Sequence, residues 1–122
     1  MNKRNYIRFF NNKVEAQLDV FCFENDGCRI CYAPALDLAG YGLNEQEAED
    51  SFQIVFNEFI GDIIKNKRVD SALSSLGWKP KKKTALAPDM TNILMTNKTL
   101  QRIFNSTSYI KTSQNLSVRL AY

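Results

Sequence analysis

Cys28 and Cys31 are separated by two residues, a spacing found in zinc sites and in redox-active dithiols. A zinc site needs about four ligands, and the 122-residue chain has no histidine and only one further cysteine, Cys22. The segment around the pair alternates like a β-strand, in which residues three apart point to opposite faces. We therefore interpret the cysteines as small buried hydrophobic residues and expect neither a metal nor a cofactor.

Gly40 and Gly42 flank a tyrosine immediately before a predicted helix, where a phosphate could bind. The phosphate-loop and dinucleotide-binding glycine patterns are both absent, and the helix start carries four carboxylates that would repel a phosphate. We expect these glycines to provide an unusual φ angle or a close approach between backbone segments.

Acidic residues could also form the two-metal centre of a nuclease. The candidate is Asp19, assisted by acids of the predicted helix, but Asp19 alternates with the apolar residues of its strand and the helix acids are explained by capping. Without histidine, serine–histidine and cysteine–histidine nucleophile pairs are excluded within the chain. We predict that the protein is not an enzyme.

Charge is divided unevenly along the chain, although the formal net charge is only +3. Residues 14–64 contain eleven acidic residues and a single base, whereas residues 1–13 and 65–83 are strongly basic. An acidic block of this kind complements a basic protein and speeds its encounter. We predict partner binding by Glu45, Glu49 and Asp50, and possible nucleic-acid contact by a second set: Lys79, Lys81, Lys82 and Lys83.

Three strands and a helix must position these residues. Residues 14–23 alternate between apolar and polar, Asp26-Gly27 supplies a hairpin turn, residues 28–34 return, and a short strand covers 38–43. Asn44 and Glu47 then form a capping box, and the helix runs to about residue 66. Its apolar stripe would lie on the sheet, and Ile54 falls on the far side.

The second half has weaker patterns. Residues 69–76 predict a short helix that ends at Gly77, residues 79–83 a basic linker, and residues 97–105 a short amphipathic helix. The last residues alternate weakly and predict one or two short strands. The predicted fold is α+β: a three- to four-stranded antiparallel sheet with one main helix on one face, a β-β-β-α core, plus a short helix and a strand-like C-terminal extension.

We divide this single domain into a basic N-terminal segment (1–13), a core (14–66) and a C-terminal extension (67–122). No apolar run approaches the roughly 20 residues of a membrane span, and the basic N-terminus lacks the apolar region of a secretory signal. We therefore expect a cytoplasmic protein without membrane contact.

Residues 30–60, ICYAPALDLAGYGLNEQEAEDSFQIVFNEFI, resemble the core of the HicB-like antitoxin family. The resemblance covers about residues 14–65 and includes the preceding hairpin. The matching positions are a strand-ending proline, a glycine-rich strand, a polar cap and the acidic opening of a helix: Pro34, Gly40, Gly42, Asn44, Glu47 and Ala48.

This resemblance implies a partial RNase H-like fold and an antitoxin that binds and neutralises a small basic RNA-cleaving toxin of the HicA type. It also implies a homodimer or a higher homo-oligomer. Family members often end in a DNA-binding module, but residues 84–122 match no such module well. The alternatives are a nucleic-acid-binding transcriptional regulator, with DNA as partner, and an orphan homo-oligomeric domain of the same fold.

Overall fold

The computed structural model describes residues 5–106 and 108–120. Within these ranges the chain forms seven strands and four helices. The strands are β1 (Tyr6–Phe9), β2 (Lys13–Asn25), β3 (Cys28–Ala33), β4 (Leu38–Gly42), β5 (Lys79–Pro80), β6 (Thr84–Leu86) and β7 (Tyr109–Arg119). The helices are α1 (Glu45–Lys65), α2 (Val69–Ser75), α3 (Met90–Thr96) and α4 (Lys98–Ser106).

All the strands join one antiparallel sheet in the order β4-β3-β2-β1-β6-β5, with β7 on the other edge of β2. The predicted α+β class with an antiparallel sheet is confirmed. The sheet is larger than the predicted three to four strands, because the basic N-terminal segment supplies β1 and the C-terminal extension supplies β5, β6 and β7. Residues 1–4 of that segment lie outside the described ranges.

Strand β2 is the centre of the sheet because its alternation gives it one fully apolar face. Its even-numbered residues are buried: Val14, Ala16, Leu18, Val20 and Cys22. One edge of β2 pairs along eleven residues with β7. The other edge is shared, since β1 pairs with residues 14–17 and β3 pairs with residues 21–25.

Asn5 fills the gap between β1 and β3. Its Oδ1 accepts a hydrogen bond from the backbone N–H of Asp19, and its Nδ2 lies 3.4 Å from Asp19 Oδ2. Asn5 is also the polar residue that the fold buries most completely within the described chain. Its side chain supplies the ladder bond that β2 would otherwise lack where its two neighbouring strands separate.

Asn5→Ala is expected to lower the free energy of unfolding by about 1–3 kcal/mol, because the N–H of Asp19 loses its acceptor in a partly buried position. Urea denaturation of the variant and of Asn11→Ala, an exposed turn residue, would measure this. The control should change stability by less than about 0.5 kcal/mol. Equal stability of the two variants would show that Asn5 has no structural role.

Helix α1 covers the face of the sheet that carries Cys22, Cys31 and Gly40. The predicted capping box is present: Asn44 Oδ1 accepts from the N–H of Glu47 at 2.9 Å, and Glu47 Oε1 accepts from the N–H of Leu43 at 3.0 Å. The residues that α1 buries repeat at helical spacing: Ala48, Phe52, Phe56, Ile60 and Ile63.

No helix in the described ranges is long and apolar enough to span a membrane.

Gly40 and Gly42 allow the backbones of β4 and α1 to touch. A Cβ at Gly40 would lie 2.2 Å from the N of Phe52, and a Cβ at Gly42 would lie 2.5 Å from the N of Ala48. Neither glycine has a positive φ angle. Of the two expected roles, close approach is therefore the one that the structure supports, and the helix occupies the space beside the turn.

Helix α4 covers part of the opposite face of the sheet, whereas the predicted fold has one main helix on one face. Phe21, which points away from α1, meets Phe104 of α4 with ring centroids 5.4 Å apart. Leu100 and Ile103 of the same helix are buried. The C-terminal extension thus completes the core and is no separate unit.

Candidate partner-binding surface

The acids of the β2–β3 turn and of the start of α1 lie at one end of the molecule, and the basic segments lie at the other. The β2–β3 turn, the end of β4 and the start of α1 meet at one end, because Arg29 pairs with both Glu24 and Gly42. The start of β2, the β5–β6 turn and the last turn of α1 meet at the other. Since α1 has 21 residues, about 30 Å separates its ends. We call these the acidic end and the basic end.

Two large apolar side chains are exposed on the solvent side of α1 or just before it. Leu43 is 81% exposed and Ile54 is 59% exposed. The exposed carboxylates Glu47 and Asp50 lie on the same side of α1, opposite its buried stripe. We call these four residues the acidic–apolar face. Tyr41 is 57% exposed but pairs with Ile30 and points to the sheet face away from α1. Exposed apolar side chains rimmed by charged ones are a feature of protein-binding surfaces.

The predicted partner-binding residues differ in accessibility. Asp50 is exposed and accepts a hydrogen bond from Gln46 at 2.9 Å. Glu45 is exposed but lies 3.3 Å from a guanidinium nitrogen of Arg29, and Glu49 is half-buried. Glu45 and Glu49 therefore have less freedom than Asp50 to meet a partner. Leu43 was not among the predicted partner-binding residues, and the position of Ile54 opposite the apolar stripe was the available signal for this face.

The predicted nucleic-acid residues lie at the basic end. Lys79, Lys81, Lys82 and Lys83 are all exposed, and the segment is a β-hairpin between β5 and β6 where a linker was expected. The hairpin is fixed by pairing of β6 with β1, a long-range contact that no local pattern indicates. An open groove of about 480 Å³ lies beside it, lined by Phe10, Ile64, Lys81 and Lys82 among others.

The two cysteines that are neighbours in sequence, Cys28 and Cys31, do not form a pair of thiols in the fold. Cys31 instead lies directly opposite Cys22 on the neighbouring strand, and both are buried under α1. The thiol contact with Cys22, with burial, raises the pKa of Cys31, so this thiol stays protonated. Cys28 is half-buried at the start of β3. No cluster of three metal-ligating side chains occurs in the parts of the chain that the structure describes.

Asp19 is separated from the other acids by the sheet itself. It lies on the face away from α1, with Asn5 and Lys111 as neighbours; Lys111 Nζ is 3.8 Å from its carboxylate. The acids of α1 lie on the opposite face. Asp19 and the α1 carboxylates therefore do not converge on a common site.

A second open groove, of about 760 Å³, runs between the β2–β3 turn, β4 and α4. Tyr32 lies at its base, where its hydroxyl donates to Asp37 Oδ1 at 2.6 Å and accepts from Asn97 Nδ2 at 2.8 Å. Asn97 also accepts from the N–H of Leu100 through Oδ1 and so caps α4. This network attaches α4 to the sheet next to the acidic end.

Burial and the hydrogen bond to Asp37 raise the pKa of Tyr32 to about 12 from 10.0. Because the folded-state pKa is the higher one, the network's contribution to stability is complete below pH 10 and is lost as the pH rises through 12. Ultraviolet titration should show one of the five tyrosines ionising late. Tyr32→Phe should remove that late component and lower stability by about 1 kcal/mol at neutral pH. An unchanged titration curve in the variant would contradict the assignment.

No family model, no curated protein and no solved structure matches the chain. A function is therefore inferred from the residues and the surface of the chain itself.

Proposed function

We propose that this protein is a non-enzymatic, antitoxin-like binding protein, which captures a small basic RNA-cleaving toxin through its acidic–apolar face. The observation that carries the proposal is the exposure of Leu43 and Ile54 beside the carboxylates Glu47 and Asp50, on the solvent side of α1. The resemblance of residues 30–60 to HicB-like antitoxins supports the same function. The basic end lies about 30 Å away along α1. Salt screens charge interactions over that distance, so the basic end would not repel such a partner.

The mechanism is electrostatic and steric. A protein that cleaves RNA must present positive charge to phosphate groups, and a negative surface competes for that charge. The carboxylates accelerate encounter, and the apolar side chains supply stability once the complex forms. The partner's RNA-binding face is then covered, so inhibition requires neither a cofactor nor a covalent step.

The test is capture from a lysate of the native source with three baits. These are the wild-type protein, Asp50→Lys/Ile54→Asp, and the control Asp70→Lys/Met95→Asp, which makes the same chemical changes at exposed positions outside the face. A small basic chain retained by wild type and control, absent from the first variant and released by moderate salt, is the expected result. Retention by all three baits would refute the proposed surface.

A second candidate function is nucleic-acid binding at the basic end. The observation that favours it is the exposed ring of Phe10 beside the lysine hairpin, with Lys13 Nζ 5.2 Å from the ring centroid. A basic surface with an aromatic ring can bind a phosphate backbone and stack a base. Phosphate contacts would give DNA or RNA affinity that falls steeply with salt. Lys81→Glu/Lys82→Glu should abolish that affinity and leave protein capture unchanged.

A further inference from the structure

Strand β7 exposes a long edge. Among the described residues it pairs only with β2, and its outer edge extends over eleven residues, about 37 Å. The other outer strands are protected differently: β5 has two residues, and β4 has five and gives its Tyr41 N–H to Ser51 Oγ of α1. A long, regular, unpaired edge is a template for another strand.

The register identifies which polar groups this edge offers. Leu120 N–H donates to the carbonyl of Asn12, and the pairing with β2 continues without a bulge, so even-numbered residues of β7 bond to β2. The odd-numbered residues therefore direct their backbone N–H and C=O groups outward. They are Tyr109, Lys111, Ser113, Asn115, Ser117 and Arg119.

We propose that β7 pairs antiparallel with β7 of a second copy of this chain, about a two-fold axis at Gln114. In this register every outward residue faces another outward residue, for instance Ser113 with the partner's Asn115, so the edges can form a continuous ladder. Tyr109 faces the partner's Arg119, an aromatic–cation pair, and Ile110 faces the partner's Val118.

Side-chain charge disfavours two of the alternative registers. Moving the two-fold axis from Gln114 to Asn115 places Lys111 opposite the partner's Arg119. Moving it to Lys111 places Lys111 opposite the partner's Lys111. Like charges directly opposite each other destabilise a sheet. In the proposed register Lys111 faces a serine, and its charge is already balanced by Asp19 at 3.8 Å within its own chain.

The polarity of the whole molecule favours the same arrangement. Tyr109 lies opposite Phe23, near the acidic end, and Arg119 lies opposite Lys13, near the basic end. An antiparallel two-fold pairing thus brings the acidic end of one copy beside the basic end of the other. It would also cover Ile110, which is 54% exposed in the single chain. The acidic–apolar face lies on the solvent side of α1 and on Leu43, away from this edge, so the dimer does not depend on the proposed function.

Sedimentation equilibrium across a concentration series tests the interface. We expect a dimer, and we expect Asn115→Pro to raise its dissociation constant by at least roughly tenfold. Proline at this odd position removes an outward N–H without removing a bond to β2. Ser117→Lys, which sets a lysine opposite the partner's Lys111, should weaken the dimer, and Ser117→Glu should strengthen it. At about 100 μM, even weak specific pairs associate. Wild-type protein that remained monomeric at this concentration would overturn the proposal.

A crosslink tests the register itself. In a Cys28→Ser background, Gln114→Cys should give a disulfide-linked dimer on mild oxidation, since the two-fold places this position opposite itself at a Cα distance of about 4.5 Å. The matched control Thr112→Cys faces the partner's Leu116 and should remain reduced. Crosslinking at residue 112 with none at 114 would refute this register. Circular dichroism of each variant separates loss of pairing from loss of folding.

Discussion

Gly40→Ala is expected to lower the free energy of unfolding by at least about 3 kcal/mol. The added Cβ would stand 2.2 Å from the N of Phe52 and 2.6 Å from the O of Ala48. Both atoms belong to the α1 backbone, so no side-chain rotation can relieve the contact. The helix would have to move off β4 and expose part of the core that Phe52 and Phe56 fill.

Gly61→Ala is the matched control, because Gly61 lies in the same helix and a Cβ there meets nothing within 4 Å. This control should be stabilised by about 0.5–1 kcal/mol through helix propensity alone. Thermal denaturation of both variants decides the matter: at roughly 3–5 °C per kcal/mol, Gly40→Ala should melt about 10 °C or more below wild type. Two variants of equal stability would mean that α1 does not pack on β4 through the glycines.

Asp50→Lys/Ile54→Asp is expected to raise the dissociation constant of the basic partner by about 100-fold or more. The lysine reverses a charge that the partner's basic surface would meet, and the aspartate replaces the apolar contact that Ile54 offers. Both positions are exposed on α1, so the fold should remain intact. Asp70→Lys/Met95→Asp should leave the affinity within about threefold of wild type.

Titration calorimetry at two salt concentrations separates the two contributions to that loss. Asp50→Lys alone should reduce the salt dependence of binding, because it removes a screened charge interaction. Ile54→Asp alone should weaken binding at both salt concentrations. Unchanged affinity in both single variants would place the partner elsewhere on the molecule.

The first half of the fold could be predicted because its signals are local. The alternation of residues 14–23, the Asp26-Gly27 turn and the Asn44–Glu47 capping box each lie within a few residues, and β2, β3, β4 and α1 follow them closely. The cluster of acids at the start of α1 also indicated the end of the molecule where the candidate face begins. The class of fold therefore followed from sequence alone.

The remaining elements depend on contacts between distant residues. Strand β1 is four residues long and is defined by pairing with β2 and β6. Strand β7 alternates weakly because its odd-numbered residues are exposed and its even-numbered ones only partly covered. Leu43 was included in the predicted strand 38–43, but β4 ends at Gly42 and the Leu43 side chain is exposed. Local patterns do not report which apolar residue a fold leaves uncovered.

The most direct test of the proposed function is RNA cleavage by the basic chain that co-purifies with this protein. The proposal predicts that this chain, once separated, cleaves RNA, and that wild-type protein abolishes cleavage at equimolar concentration, as does Asp70→Lys/Met95→Asp. It also predicts that Asp50→Lys/Ile54→Asp restores cleavage at the same concentration. A co-purifying chain without activity on RNA, or one inhibited equally by both variants, would contradict the proposed function.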